Sequence, residues 1–449
     1  MKKKAIIIIG VLILFSTITF SGYSYIKVKQ WDSLILPGVK IENEDLTGKT
    51  KKEAQTILND KYSSKVLKKK ITVVTDEKKY ILDYKTLGAK YKVDEALQKA
   101  LSYGNNMNMF EKYKAIEHPR GKQIKLTFEY NDKTVDKILK EIAKDTDKKE
   151  KNATITKVSG GEFVVTNDVI GRKLEVDKLK TNVKSKIDGF TDEDVAYIQA
   201  PVKEIKPKIS KASLKTINTR ISSYTTSFGS SPEGRATNIA LATGSINGKL
   251  LMPGDVFSFN GVVGERKASR GYKAASIIIG DKLEQGLGGG ICQVSSTLYN
   301  AMLSTSIVSV ERIHHTISSG YIPKGQDATV DYGNLDYKFK NTFKYPIYIE
   351  GLLSNGNIYF NIYSSSTLTN RTYKIVNEVS EPTEPKTETI QDPTMYEGQN
   401  KIVKTGYAGF KVKVIRKTYE NGNLVNTEII NKDTFRVING VMKVGTKKA

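Results

Sequence analysis

The stretch Gly288-Gly289-Gly290-Ile291-Cys292-Gln293-Val294-Ser295 contains the only cysteine of the 449-residue chain. Its three glycines predict a turn in which the backbone can approach another group closely. An amphipathic helix is expected directly afterwards, because apolar residues recur with helical spacing at Val294, Leu298, Ala301 and Met302. At about 100° per residue, Cys292 lies roughly 200° from Val294 and therefore off this apolar stripe.

A thiol in the first turn of a helix has a physical reason to be reactive. Unsatisfied N–H groups and the positive end of the helix dipole stabilise a thiolate and lower its pKa. Nearby glycine amides can also approach a developing oxyanion without a side chain in the way. We therefore predict that Cys292 is a nucleophile; an inert, buried cysteine is the alternative.

A cysteine nucleophile needs a base and a group that orients the base. The segment from Val308 to Ile317 alternates like a strand, so His314 and His315 should point to opposite faces and only one should meet Cys292. Asp327 precedes the next strand-like run and is expected to orient the imidazole, although shaping a turn would also explain it. The order Cys–His–Asp, with the cysteine on a helix, resembles the plan of transglutaminase-like and papain-like folds. Too few ligands are visible for zinc, so neither a metal nor a cofactor is expected.

The net charge and the N-terminal sequence indicate the cellular location of the protein. Lys+Arg 71 against Asp+Glu 48 gives a net charge of +23, which favours polyanionic surroundings. Lys2 to Lys4 precede an uncharged stretch from Ala5 to Ile26 that is long enough to span a bilayer. We predict a cytoplasmic tail and uncleaved transmembrane anchor over residues 1–27, with the rest outside the cell membrane, facing the wall. Wall polymers and lipid head groups, not nucleic acid, are then the expected polyanions; a cleaved signal peptide is the alternative.

The rest of the chain is predicted to form several α+β and β domains. Residues 81–94 realign with residues 164–177 and indicate a repeat, read as two tandem α+β modules over 35–120 and 121–204 that suit binding better than catalysis. A central α+β domain is expected over 212–355. A polar, proline-containing connector over 364–394 and a small all-β module over 372–449 should follow. Asn421-Gly422 is a strong hairpin turn within that module.

The central motifs together resemble the VanW domain. They are Asn238–Ala242, Asn247-Gly248, Pro253–Asn260, Gly264–Arg266, Gly271-Tyr272, Gly288–Ser295, Leu298–Ala301, Glu311-Arg312, His315, Asp327–Val330 and Asp336–Asn341. The family's histidine follows Glu-Arg after two residues, which selects His315 over His314. The repeated modules look like the peptidoglycan-binding domain often found before VanW domains. The C-terminal module is similar to the five-glycine domain of wall proteins.

The resemblance implies a membrane-anchored, clostridial-type L,D-transpeptidase that forms 3→3 peptidoglycan cross-links. Cys292 would attack the carbonyl of the third stem residue and expel D-alanine, with His315 as base and then acid. Asp327 or Asp336 would orient the histidine. The oxyanion or substrate side would comprise Gly289, Gly290, Gln293 and Arg312.

Other functions stay open at this point. The motif of YkuD-type L,D-transpeptidases, in which the histidine precedes the cysteine, is absent, so the residue roles of that family are not carried over. A non-enzymatic protein that binds glycan or stem peptide is one alternative. A cysteine carboxypeptidase or peptidase acting on stem peptides is another.

Overall fold

A computed structural model of the protein describes residues 2–187, 194–279 and 282–448. The chain divides into two compact units. The N-terminal unit comprises residues 1–150 and 170–206, and the C-terminal unit comprises residues 151–169 and 207–449. Cys292 lies in the C-terminal unit.

The helices of the described residues follow one another along both units. They are α1 Lys2–Lys29, α2 Lys51–Leu58, α3 Ser64–Val66, α4 Val93–Leu101, α5 Met109–Glu117, α6 Asp132–Thr146, α7 Val176–Lys186, α8 Lys211–Leu214, α9 Glu233–Ile246, α10 Phe259–Val263 and α11 Ile291–Leu303. A π-helical turn at Asn59–Ser63 joins α2 to α3, and 3₁₀ turns lie at Ala268–Arg270 and Ser366–Leu368.

The strands are mostly short in the N-terminal unit and long near the C-terminus. They are β1 Val39–Ile41, β2 Glu44–Asp45, β3 Lys70–Val74, β4 Lys79–Asp83, β5 Lys90–Tyr91, β6 Lys122–Ile124, β7 Phe128–Glu129, β8 Ile155–Lys157, β9 Phe163–Val165, β10 Gly171–Leu174, β11 Val195–Gln199, β12 Val202–Ile205, β13 Thr219–Ser227, β14 Lys249–Leu251, β15 Val256–Ser258, β16 Ala274–Ile279, β17 Lys282–Leu287, β18 Ser309–Glu311, β19 Lys338–Lys340, β20 Ile347–Ser354, β21 Asn357–Ser364, β22 Arg371–Val379, β23 Thr387–Tyr396, β24 Asn400–Lys404, β25 Phe410–Glu420, β26 Asn423–Phe435 and β27 Gly440–Lys447.

Helix α1 has the properties of a membrane anchor or of a signal peptide. It contains a window of mean hydropathy 2.4 with none of its residues buried, and its 28 residues are enough to cross a bilayer. A signal sequence near an N-terminus meets the same criterion. The predicted apolar segment is therefore a helix.

Sheets in the N-terminal unit combine strands from both predicted modules. β3 pairs in parallel with β11, with Lys70 opposite Val195, and β1 pairs in parallel with β6. A cluster of buried side chains extends from Val28 to Ala200 through both halves. The prediction of two separate modules joined in tandem is wrong on this point. Two or three short strands are only marginally stable alone, and the sheets β2-β1-β6 and β11-β3-β4 of the first half are each completed by a strand of the second half.

The second copy of the repeat is itself divided between the two units. The hairpin β8–β9 belongs to the C-terminal unit, where Phe163 packs edge-on against Tyr348 and Tyr363 at 5.1 and 5.2 Å between ring centroids. Lys157 of the same hairpin donates to Glu350 at 2.7 Å. The chain passes into the C-terminal unit after Lys206, near the predicted boundary at residue 204, but residues 151–169 of the second predicted module also belong to that unit.

A four-stranded antiparallel sheet supports the cysteine helix in the C-terminal unit. Its strand order is β13-β21-β20-β14. Helix α11 packs on β13, β21 and α9, and α9 packs on β20. The hairpin β20–β21 turns at Asn355-Gly356, both with positive φ, so the domain end predicted at residue 355 fell inside a hairpin and the sheet continues to Ser364.

The C-terminal module consists of two three-stranded sheets, β22-β25-β26 and β23-β27-β24. Asn421 and Gly422 form the predicted hairpin turn with φ of 49° and 85°. The connector predicted over 364–394 is wrong, because β22 and β23 occupy most of it. Pro393 is tolerated within β23 because that strand is at a sheet edge and its register shifts between Asp392 and Tyr396.

Candidate active site around Cys292

The glycine run places Cys292 at the start of α11. Gly288 and Gly290 have φ of 89° and 102°, a conformation that glycine adopts without strain. Gly289 lies against the backbone of β16, and the fully buried Asn238 donates to its carbonyl oxygen at 3.0 Å. The run therefore has a packing role in addition to the predicted freedom of its amides.

Helix α11 is buried on all sides, which differs from the predicted amphipathic helix. Every residue from Ile291 to Leu303 is buried except Cys292, which is half-buried. The polar residues opposite the apolar stripe do not face water, since their side chains bond to the chain segment 326–330. Cys292 is thus the one residue of the helix that is partly accessible.

A row of side-chain hydrogen bonds joins α11 to the backbone of the segment 326–330. Asn300 donates to the Gln326 carbonyl oxygen at 2.6 Å, and Ser295 donates to that of Ala328 at 2.6 Å. The Cys292 thiol contacts the Val330 carbonyl oxygen at 3.5 Å. These bonds fix the segment along the helix. Asp327, which lies between Gln326 and Ala328, is therefore held beside the thiol.

His315 lies between Asp327 and the thiol. Its Nδ1 is 2.6 Å from the Asp327 Oδ2, and its backbone N–H donates to the same oxygen at 2.6 Å. Asp327 accepts only, so Nδ1 carries the hydrogen and Nε2 is left for Cys292. Both His315 and Asp327 are buried, with 6% and 2% of their surfaces exposed.

The strand predicted over Val308–Ile317 is only β18, which ends at Glu311. His314 and His315 nevertheless diverge. The His314 ring packs at a tilted angle on Phe435, with 4.7 Å between the ring centroids, and its Nδ1 lies 2.7 Å from the His315 carbonyl oxygen. Only His315 meets the thiol, so the outcome that the strand pattern predicted arises from irregular chain held by Asp327.

The site favours a thiolate–imidazolium pair. Burial pushes the pKa of the Cys292 thiol upward, but the hydrogen bond and charge of His315 outweigh burial and leave that pKa below its usual value. Burial pushes the pKa of His315 downward, yet its bonds to Asp327 and Cys292 raise it to about 10. Burial also opposes ionisation of Asp327, and His315 outweighs it and lowers the pKa of that carboxyl.

The backbone at the start of α11 leaves the amide beside the thiol free. The Ile291 and Gln293 N–H groups donate to the carbonyl oxygens of Gly288 and Gly290 at 3.2 and 3.0 Å. The Cys292 N–H has no acceptor among the described residues. It is therefore the amide available to an oxyanion beside the thiol.

Two residues predicted on the oxyanion or substrate side face inward instead. Gln293 is 1% exposed; its amide donates to Ser227 and accepts from Arg235. Arg312 makes an ion pair with Asp433 at 2.7 Å and donates to the carbonyl oxygen and the Oδ1 of Asp327 at 2.6 and 3.1 Å. Arg312 therefore positions Asp327. The Gln293 N–H, expected near the oxyanion, donates to the Gly290 carbonyl oxygen at 3.0 Å.

Asp336, the other carboxylate considered for orienting His315, instead stabilises the chain at the start of α10. It accepts from Ser258 Oγ at 2.5 Å and from the Asn260 N–H at 2.9 Å. Since both of its oxygens are used there, the structure brings Asp327 and not Asp336 to the histidine.

The C-terminal module contributes side chains that sequence reasoning missed. Asp433 of β26 holds Arg312, and Arg416 of β25, 1% exposed, donates to the carbonyl oxygens of Thr305, Ser306 and Ile307 just beyond the end of α11. A cation at that end complements the helix dipole. No local pattern around Asp433 or Arg416 points to α11, since both partners are more than a hundred residues away.

Tyr321 is a further missed residue. Burial raises the pKa of its phenol, and the nearby Cys292 charge raises it further. The phenol therefore stays protonated and presents a hydroxyl near the thiol.

Gly289→Ala tests the packing role of the glycine run. A Cβ there would lie 2.6 Å from the Ser276 carbonyl oxygen and 2.8 Å from the Ala275 carbonyl carbon. Because backbone must shift, we expect a loss of about 1–3 kcal/mol in the free energy of opening of α11, measured by hydrogen exchange of residues 291–303. Gly244→Ala, in α9 with nothing within 4 Å, is the control and should stabilise its helix by about 0.5–1 kcal/mol. Unchanged exchange in Gly289→Ala would contradict the packing role.

Three family descriptions match the chain in order. “Putative peptidoglycan binding domain” matches residues 80–195, “VanW like protein” residues 234–363 and “G5 domain” residues 374–447. The VanW match contains Cys292, His315 and Asp327, and the G5 match contains Arg416 and Asp433.

Two curated proteins are similar to parts of the chain. It is 40% identical over 187 residues to the uncharacterized protein YoaR of Bacillus subtilis (strain 168), covering 41% of this chain and 62% of YoaR. It is 33% identical over 114 residues to the vancomycin B-type resistance protein VanW of Enterococcus faecalis (strain ATCC 700802 / V583), covering 24% of this chain and 42% of that protein. The chain thus spans less than two thirds of either relative.

Two solved structures are similar to the C-terminal module. The crystal structure of HP0197-G5 is 23% identical with a TM-score of 0.12, covering 17% of this chain and 97% of that one. The IgA1 protease G5 domain is 24% identical with a TM-score of 0.13, covering 17% and 94%. The family matches, with the motifs quoted from the sequence, establish that VanW-like, peptidoglycan-binding and G5 domains are present in this chain, a combination that indicates a cell-wall-associated protein.

Proposed function

We propose that the protein is an extracytoplasmic cysteine L,D-transpeptidase that forms 3→3 cross-links between peptidoglycan stem peptides. One observation carries the proposal: the half-buried Cys292 thiol meets a buried His315 whose Nδ1 is bonded to Asp327 at 2.6 Å. A nucleophile, a base and an orienting carboxylate in this order are what acyl transfer requires. The peptidoglycan-binding and G5 domains support peptidoglycan as the class of substrate.

In the first half-reaction, the Cys292 thiolate attacks the carbonyl carbon of the third stem residue. The Cys292 N–H donates to the oxyanion. The bond to the D-alanine nitrogen then breaks, and the imidazolium of His315 gives its proton to the leaving amine. A thioester and free D-alanine result. The raised pKa of His315 suits this step, because the proton is already on the ring before attack.

In the second half-reaction, the side-chain amine of a diamino acid on a neighbouring stem attacks the thioester. His315 accepts the proton that this amine loses, and the thiolate leaves. Water in place of the amine would give a carboxypeptidase from the same site. A wall-binding protein without catalysis is the competing function, supported by the basic excess of +23.

The mass of the intact protein after exposure to a stem tetrapeptide tests the proposal. Full-length protein in non-ionic detergent should gain the substrate mass less one alanine, and a disaccharide-tetrapeptide should yield 3→3 dimers. Cys292→Ala should do neither but should still sediment with sacculi. Dimer formation by Cys292→Ala would exclude the thiol mechanism. No adduct and no dimers from the wild type, with sedimentation retained, would favour the non-enzymatic function.

A further inference from the structure

The guanidinium of Arg266 is a buried cation without a hydrogen-bond partner. Its Nη1 and Nη2 are both inaccessible, and no acceptor lies within reach among the described residues. It lies over the rings of Phe259 and Tyr332 at 5.8 and 5.9 Å. Leaving a charged donor buried and unpaired is unfavourable unless an anion joins it.

The same two segments hold Arg266 and the thiol. A Cβ on Gly288, four residues before Cys292, would lie 3.0 Å from the Arg266 Cγ, so the arginine stem packs on the glycine run. On the other side, Tyr332 follows closely after Val330, whose carbonyl oxygen contacts the thiol at 3.5 Å. The cation therefore lies beside the nucleophile.

The Cys292 charge attracts Arg266, but no hydrogen-bond acceptor among the described residues reaches its Nη1 or Nη2. The nearest carboxylates are engaged elsewhere: Asp336 bonds to Ser258 and Asn260, and Asp331 accepts from Asn334 at 2.7 Å. The other arginines around the site are bonded, Arg235 to Ser231 and Gln293, and Arg312 to Asp327 and Asp433. Burial lowers the pKa of Arg266, which remains cationic at neutral pH. Arg266 is thus the free anion receptor of this site within the described part of the chain.

We propose that Arg266 binds the free C-terminal carboxylate of the amino acid that Cys292 displaces. The inference rests on the proposed acyl transfer and specifies its substrate: a peptide whose scissile bond is the last one. The carboxylate carbon is only two bonds from the departing nitrogen, so a receptor for it must lie beside the thiol. A guanidinium fork matches a carboxylate with two parallel hydrogen bonds.

This assignment explains selection as well as binding. An amidated or extended peptide places a neutral carbonyl where the carboxylate would be, and the buried cation stays unpaired. A site whose buried polar groups need a charged partner strongly rejects analogues that lack that charge. When the peptide bond breaks, His315 protonates the new amine and Arg266 retains the carboxylate of the released amino acid.

Matched substrates and variants test the subsite in the full-length protein. Acylation of Cys292, followed by intact mass, is compared for a stem tetrapeptide and its C-terminal carboxamide. The wild type should prefer the carboxylate by at least about 100-fold in kcat/KM. Arg266→Gln should lose this preference while acylating slowly with both. Arg270→Gln, whose arginine is exposed and bonds to the Glu265 carbonyl oxygen, should behave as wild type.

A second measurement needs no turnover and separates the subsite from the reaction. N-acetyl-D-alanine should slow iodoacetamide alkylation of Cys292 in the wild type, and N-acetyl-D-alaninamide should not. Arg266→Gln should show no protection. Protection that depends on Arg266, without any acyl adduct, would overturn the proposed transpeptidation but retain the carboxylate subsite. Acylation without preference for the carboxylate, or equal losses on both peptides in Arg266→Gln, would overturn the subsite.

Discussion

Replacing His315 by glutamine is expected to slow acylation of Cys292 by about 10²- to 10⁴-fold, the contribution usual for a positioned acid–base group. Asp327 occupies Nδ1 of the imidazole at 2.6 Å, so Nε2 serves the thiol. Glutamine fills similar space but neither stabilises the thiolate with a charge nor protonates the leaving amine. Single-turnover acylation by a stem tetrapeptide, read by intact mass, measures this loss.

The same substitution should change how thiol alkylation depends on pH. In the wild type, His315 keeps its proton up to its pKa of about 10, and the pKa of Cys292 is lowered, so thiolate persists below the usual thiol range. In the variant, burial raises the thiol pKa and is opposed only by the weaker effects of the Val330 contact and the Arg266 charge. Below about pH 8.5 its thiolate fraction falls tenfold per unit, and iodoacetamide should react at least about 30-fold more slowly at pH 7.

His314→Gln is the matched control for both measurements. The His314 ring packs against Phe435 and makes no contact with the thiol, so acylation and the alkylation profile should stay close to wild type. A wild-type alkylation profile in His315→Gln would show that another group activates Cys292.

Replacing Asp433 by alanine is expected to destabilise the thiol site by about 3–5 kcal/mol, the cost of breaking a buried ion pair. Arg312 and Asp433 are each 7% exposed and form a two-oxygen pair at 2.8 and 2.7 Å. Without Asp433, the Arg312 cation stays buried without its counter-ion. Its bonds to Asp327 should then change in geometry and displace that carboxylate. Hydrogen exchange of residues 291–303 and 312–330 should accelerate, and acylation should slow with it.

Glu378→Ala provides a control on the same module. Glu378 pairs with Lys413 at 3.3 Å with more than half of each side chain exposed, and such surface pairs contribute little. Equal exchange rates and equal acylation rates in the two variants would contradict a positioning role for Asp433. Slower acylation in Asp433→Ala with unchanged exchange would place its effect on the orientation of Asp327 alone.

Features set by short-range patterns could be predicted from the sequence. The glycine turn before α11, the choice of His315 and the Asn421-Gly422 hairpin each depend on a few neighbouring residues. The environment of α11 could not be predicted. Ser295, Ser296 and Asn300 count as polar in a periodicity pattern, whereas their donors bond to backbone carbonyls in the interior.

Long-range pairing accounts for the remaining differences. Arg312 looked like a substrate-binding residue because its partner Asp433 lies 121 residues further along the chain. The tandem modules looked separate because a repeat in sequence does not reveal which strands pair, and β3 pairs with β11 instead of staying within its own copy. Arg266 belongs to a recognised motif, but its lack of a partner is visible only in three dimensions.

The position of Arg416 and Asp433 near the end of the chain affects when the thiol site is assembled. Chains are synthesised from the N-terminus, so Cys292, His315 and Asp327 emerge well before strands β25 and β26. Until those strands arrive, the carbonyl groups beyond α11 lack Arg416 and the Arg312 cation lacks its counter-ion. A chain cut short before residue 410 therefore carries the thiol without the contacts that order it, so the site is completed only after strands β25 and β26 have been synthesised.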